Sequence, residues 1–151
     1  MMSRFTKITI VLLRVTIGWF FLDQGIIAIL NKSWSVTSYV QNSSIIPAFY
    51  KIVLASNTHV YFDYLLKGLF IIAGLALILG VFARAGALIG ILISLFLYLP
   101  LLKFPFVATA LGGSFYVVDS HLITITALIF LYAVRSGEFF GLGSRFRLSK
   151  Y

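Results

Sequence analysis

The chain contains no cysteine. That excludes disulfides, thiol catalysis, thiolate-held iron–sulfur clusters and covalent c-type haem. Charge is scarce too: 11% of residues are charged, against about 25% in soluble domains. Acids are the rarest, four against twelve Lys and Arg, with two histidines. The +8 net charge is scattered singly, with no basic run or stripe of the kind that binds nucleic acid. It is better read as membrane orientation and headgroup contact. Metal-ligand spacing, a phosphate loop, a nucleophile elbow and a GxGxxG loop are all missing. No metal, flavin or dinucleotide is indicated. A bis-histidine haem between His59 and His121 is disfavoured, because His59 falls at a loop–helix boundary.

What is abundant is apolar. Of 151 residues, 61% are hydrophobic and 17% aromatic, and the mean hydropathy is +1.06. A soluble fold of this length could not bury so much apolar surface. The sequence predicts one integral membrane domain with no room for a separate soluble module. Four apolar runs are read as spans, at residues 8–30, 60–82, 86–102 and 115–134. Arg14 interrupts the first and no small-residue cleavage site follows it, so it reads as an uncleaved helix. Residues 31–59 are polar and mixed. Within them residues 45–54 are apolar but too short to span, and with Trp34, Tyr39, Phe49 and Tyr50 nearby they read as an interfacial segment. Ala83 and Arg84 are read as a tight turn, residues 103–114 as a Pro/Gly loop and residues 135–151 as a basic tail. Gly68, Gly74, Gly80, Gly86 and Gly90 permit close helix contact, within the chain's own bundle rather than in a dimer.

The expected fold is therefore an all-α, integral membrane four-helix bundle. Four spans place both termini on one side. That side holds Arg4, Lys7, Arg84, Arg135, Arg145, Arg147 and Lys150, and the other holds Lys32, Lys51 and Lys103. The positive-inside rule then predicts cytoplasmic termini, with the interfacial segment between the first two spans extracytoplasmic.

This topology sorts the ionisable residues by depth. At about 1.5 Å per residue, Asp23 lies roughly 8–10 Å below the outer surface, Lys67 roughly 10 Å, and Asp119 and His121 roughly 5–9 Å. All four share the outer leaflet, where they can neutralise one another. The functional reading is a polar pocket whose imidazole and carboxylates exchange protons, as suits a quinone headgroup or a transported ion. Bland readings stand beside it. Asp119 as the N-cap of a helix starting at Ser120 is one. On a single helix, residues 119 and 121 would also point about 200° apart. Lys67 snorkelling outward is another, and an Asp23–Lys67 pair that only fixes helix register a third. Trp34 reads as a belt anchor or as a cover over the site. Arg14, roughly 9 Å from the inner end, reads as snorkelling to inner headgroups or as part of the ligand-binding set.

Three segments resemble the DoxX family of small four-helix membrane proteins. They are Leu13-Arg14 with Gly18-Trp19-Phe20-Phe21-Leu22 and Gly25, followed by Trp34-Ser35 and Tyr39; Gly74 through Arg84; and Val118-Asp119-Ser120-His121-Leu122-Ile123. Together they cover most of the chain. The family often carries a basic residue shortly after the first-span glycine; here Ile26, Ile27 and Ala28 follow Gly25. The resemblance implies a multi-pass protein of a prokaryotic plasma membrane. It also implies kinship with the small subunit of thiosulfate:quinone oxidoreductase and with membrane partners of redox or oxidative-stress proteins.

The leading expectation is the membrane subunit of a quinone-linked oxidoreductase. Asp119 and His121 would be its catalytic residues, and Asp23, Lys67, Trp34 and Arg14 would bind the quinone. A partner subunit would supply the electron-donor site, since the chain has no electron carrier of its own; a homo-oligomer is also compatible. The alternatives are a non-catalytic membrane anchor or assembly partner and, third, a small transporter. Against the transporter, no helix is clearly broken at midplane.

Overall fold

The computed structural model describes residues 3–40, 47–55, 58–101 and 119–139. Among them there is helix and no strand. Helix α1 runs Arg4–Leu30; its N-cap Ser3 accepts a hydrogen bond from the Thr6 amide at 3.1 Å, satisfying one donor of the first turn. Two short helices follow, α2 (Thr37–Val40) and α3 (Pro47–Leu54). Then come α4 (Thr58–Leu79), α5 (Ala83–Tyr98) with a 3₁₀ turn at Leu99–Leu101, and α6 (Ser120–Ala133) with a 3₁₀ turn at Ser136–Glu138.

With 27 and 22 residues, α1 and α4 are about 40 and 33 Å long, enough to cross a hydrocarbon core of about 30 Å. Both are apolar enough to do so. The 16 residues of α5 and 14 of α6 are apolar but shorter, about 24 and 21 Å. Each of these helices buries one stripe: Ile10, Arg14, Ile17, Phe21, Gly25 and Ala28 on α1, for example, at the three- and four-residue spacing of one helix face. The opposite faces are apolar as well. Leu12, Trp19 and Ile26 on α1, Leu65 and Ile72 on α4, Leu92 on α5 and Ile123 and Ile129 on α6 are all exposed. A helix that is apolar all round belongs in a larger core or in lipid, not in water.

The long helices pack in chain order: α1 against α4, α4 against α5, and α5 against α6. On the α1–α4 contact, Gly18 faces Gly74 and Ile78, while Gly25 faces Phe70 and Ile71, so the two helices run antiparallel. The approach is backbone to backbone. A Cβ on Gly74 would come within 2.7 Å of the Leu22 amide nitrogen and 2.8 Å of the Gly18 carbonyl oxygen. The small residues let the helices meet through dispersion contacts that a side chain would forbid.

The structure moves two boundaries. The turn expected at Ala83 and Arg84 lies earlier: α4 stops at Leu79, Gly80 takes a left-handed φ of 69°, Phe82 follows at 55°, and Ala83 and Arg84 already belong to α5. A glycine just past the last helical residue adopts this conformation without Cβ strain. The last helix starts at Ser120, not at 115. Asp119 is extended (φ −117°, ψ −178°) and its side chain accepts from the Leu122 amide. Residues 115–118, the 103–114 loop, the tail beyond 139 and Tyr39's side chain lie outside what is described. The segment expected at the interface is helical over α3 and docks on α4 and α5. Tyr50 and Val53 are buried, and the Tyr50 hydroxyl donates to the Phe96 carbonyl at 3.0 Å.

Candidate functional site

A cavity of about 240 Å³ lies where α1, α4, α5 and α6 converge. Its walls are apolar and largely aromatic: Phe20 and Phe21 from α1, Phe70 from α4, Ile93 and Leu97 from α5, and Trp34 from the loop after α1. Gly90 shapes one wall, since a Cβ there would lie 2.9 Å from Leu128 and 3.1 Å from Phe21. Polar groups enter from three helices: Gln24 from α1, Ser94 from α5, and Ser120, His121 and Thr124 from α6.

His121 reaches the cavity because it sits in the first turn of α6, one residue past Ser120 and three before Thr124 on the same face. Asp119 does two things at once. Its Oδ1 accepts the Leu122 amide at 3.0 Å, capping α6, and its Oδ2 lies 2.8 Å from His121 Nδ1. The expectation that these side chains point apart rested on helical geometry. Asp119 is outside the helix, at its cap, so its carboxylate can reach the first-turn histidine. An ionised carboxylate only accepts, so neutral His121 carries its proton on Nδ1 and leaves Nε2 with a free lone pair. Both side chains are about one quarter exposed (25% and 22%).

The Ser94 hydroxyl is the second notable group. Serines and threonines in apolar helices commonly bond back to the carbonyl four residues earlier. Thr124 and Thr126 do this, donating to Ser120 and Leu122 at 2.7 and 2.9 Å. Ser94 is only 4% exposed, lines the cavity, and has no partner among the described residues. Gln24, half-buried, is likewise unpaired among them. Among the described residues the fully buried side-chain atom without a partner is Arg14 Nε; the Ser94 hydroxyl keeps access to the cavity, where a group from outside the chain can meet it.

The remaining expected residues are placed differently. Trp34 lines the cavity, in a loop fixed at several points. Asn31 Oδ1 accepts from the Ser33 amide and hydroxyl, the Trp34 amide donates to the Asn31 carbonyl, and the amide of buried Val36 donates to Asp63 Oδ1 at 2.7 Å. Lys67 does not line the cavity; its ammonium lies 5.4 Å from the Trp34 ring centre and 5.9 Å from that of Tyr64, braced behind the wall. The expected Asp23–Lys67 pair does not form. Asp23 is exposed, about 200° around α1 from buried Phe21, whereas its neighbour Gln24 turns inward.

Arg14 neither snorkels nor approaches the cavity. It is 1% exposed, and Nη1 donates to the Ser136 and Phe139 carbonyls at 2.6 and 3.2 Å. It ties the first helix to the turn after the last one. The same end of the molecule holds Gly137 against Gly80 and Ala83, and Lys7 above the Phe139 ring. Gln24, Ser94 and Asp63 were not singled out from sequence. Ser94 was the findable one, as the sole polar residue between Arg84 and Tyr98.

Comparison with family models, curated proteins and solved structures finds no match to this chain.

Proposed function

We propose that the chain is a multi-pass membrane protein and that its cavity binds the headgroup of a quinone, for a quinone-linked oxidoreductase whose electrons come from a partner subunit. In this reading α1, α4, α5 and α6 form a four-helix bundle in a prokaryotic plasma membrane. Both termini are cytoplasmic, and the cavity lies toward the outer face. The exposed apolar faces of all four helices support the membrane setting. The resemblance of the Asp119–His121 segment and the two glycine-rich segments to the DoxX family supports the redox setting.

The observation that carries the reading is the cavity's polar lining. His121 Nε2, the Ser94 hydroxyl and the Gln24 carboxamide have no hydrogen-bond partner among the described residues, and they stand in a pocket with aromatic walls. At about 240 Å³ it is smaller than the roughly 300–1,000 Å³ of drug-sized sites, and it suits a single substituted ring. Quinone carbonyls accept hydrogen bonds from Ser94 and Gln24, and aromatic walls stack on the ring face. Reduction to quinol takes up protons with the electrons. His121 can take a proton on Nε2 and hand it to the ring oxygen, with the Asp119 carboxylate stabilising the imidazolium between the two transfers. Asp119 thus acts through His121 and not on the ring.

The test uses Trp34 as the reporter. In a Trp19→Phe background the cavity tryptophan is the only one in the chain. Titrating a short-tailed quinone into bilayer discs should quench it saturably, and His121→Phe should abolish saturation. Linear quenching that is identical in both proteins would remove the headgroup site.

The anchor reading draws on one observation, the capping bond of Asp119. If capping is that residue's whole role, the cavity is incidental and the chain holds a redox partner at the membrane without binding quinone.

A further inference from the structure

Resting on the membrane reading above, we infer that the cavity opens sideways into lipid through the seam between α1 and α6, and that its ligand is an amphiphile with a ring-sized polar head and an apolar tail. Two independent features define the seam. The first is the exposure of the cavity's own walls. Phe70, Ile93, Ser94 and Leu97, from α4 and α5, are all nearly buried. The open side belongs to α1 and α6: Phe20 is 44% exposed, Ser120 is exposed, and Gln24, His121 and Thr124 are partly exposed.

The second is the packing order. Neighbouring long helices share extended contacts, but α1 and α6 barely touch. They are joined at one end, where Arg14 grips the turn after α6, and again where Phe21 and Leu128 meet over Gly90. Beyond that level, toward Gln24 and Ser120, no packed ridge among the described residues closes the gap. Beside it on α1, Phe20 and Ile27 share one helical phase, and both are large, apolar and exposed. A mouth with such lips is wetted by acyl chains, not by water. Head polar and tail apolar is what the geometry selects: the Ser94 hydroxyl on the buried wall, Gln24 and His121 on the α1 and α6 walls, and apolar Phe20 and Ile27 outside. A soluble metabolite without a tail would have to cross lipid to enter.

The absence of cysteine gives a direct test. Ser94→Cys places the chain's only thiol at the buried end of the cavity. In proteoliposomes this thiol should react with a membrane-partitioning maleimide and resist a charged, water-soluble thiosulfonate. Thr124→Phe, which fills the α6 lip, should slow the maleimide reaction about tenfold, the effect of an added barrier of about 1.4 kcal/mol. Should Ser94→Cys not fold, Gln24→Cys serves the same purpose. Equal reaction with the charged reagent would mean an aqueous mouth and would overturn the inference. So would a thiol inert to both reagents in folded protein, or a rate unchanged by Thr124→Phe. No quinone enters the experiment, so it succeeds or fails independently of the headgroup reading.

Discussion

Replacing Asp119 by Asn separates the residue's two roles. Asn retains an acceptor for the Leu122 amide and is about as good an N-cap as Asp. It gives up only the charge–dipole contribution, about 0.3–1 kcal/mol. Ala loses the cap itself, typically about 1 kcal/mol and up to roughly 2. Toward His121 the two variants fail alike. With its oxygen on Leu122, Asn presents an NH₂ to Nδ1, which must then accept. The imidazole proton moves to Nε2, and the cavity faces a donor where it had an acceptor. A charge-assisted hydrogen bond contributes about 1.5–3 kcal/mol, so loss of the Asp119–His121 bond should weaken quinone binding about 10- to 150-fold. Denaturation in detergent gives the stabilities, and the fluorescence titration gives the affinities. Since the chain has only His59 and His121, ¹⁵N spectra of histidine-labelled protein report the tautomer directly. Asp119→Asn should be near wild type in stability, Nε2-protonated at His121, and weak in binding. An Asn variant that binds as wild type does would reduce Asp119 to a helix cap and refute the reasoning.

Other perturbations probe the scaffold. Gly74→Ala drives a Cβ to 2.7 Å from the Leu22 backbone; overpacking of this kind costs about 1–3 kcal/mol, and the thermal midpoint in detergent should fall accordingly. Arg14→Met removes both bonds to the Ser136 and Phe139 carbonyls and leaves the Ser136 carbonyl only the weaker 3.3 Å bond from the Phe139 amide. A loss of about 1–3 kcal/mol is expected, and limited proteolysis should cut near residue 139 sooner. Asp63→Ala releases the Val36 amide, so Trp34 emission should broaden and shift to the red while helix content by circular dichroism stays constant. Tyr50→Phe deletes one bond to Phe96 and should cost about 1 kcal/mol in unfolding free energy.

The helices were legible because their apolar runs are long, and α1 and α4 follow theirs closely. Their ends were harder. Nothing in the apolar pattern distinguishes Gly80 as a stop from Gly74 as a packing glycine, since both interrupt equally apolar sequence. The start of α6 turned on one side chain, because a polar residue inside an apolar run reads equally well as a buried charge or as a cap. The site was only partly legible. Ionisable residues attract attention near hydrocarbon, which is why Asp119 and His121 stood out. The same emphasis put Asp23 in the site, when helical phase turns Gln24 inward instead. Ser94 and Gln24 carry no charge and so raise no alarm in composition. Arg14 could not have been placed from sequence, because its partners are backbone carbonyls 122 and 125 residues away, and a carbonyl leaves no trace in residue identity.

The most direct test of the central claim is the quinone content of the protein as it leaves the membrane. Organic extracts of protein purified in mild detergent, together with any co-purifying partner, are compared for wild type, His121→Phe and Ser94→Val. The account predicts near-stoichiometric quinone in wild type and its loss from both variants at unchanged yield. Wild-type protein free of quinone, or quinone retained equally in all three, would contradict it.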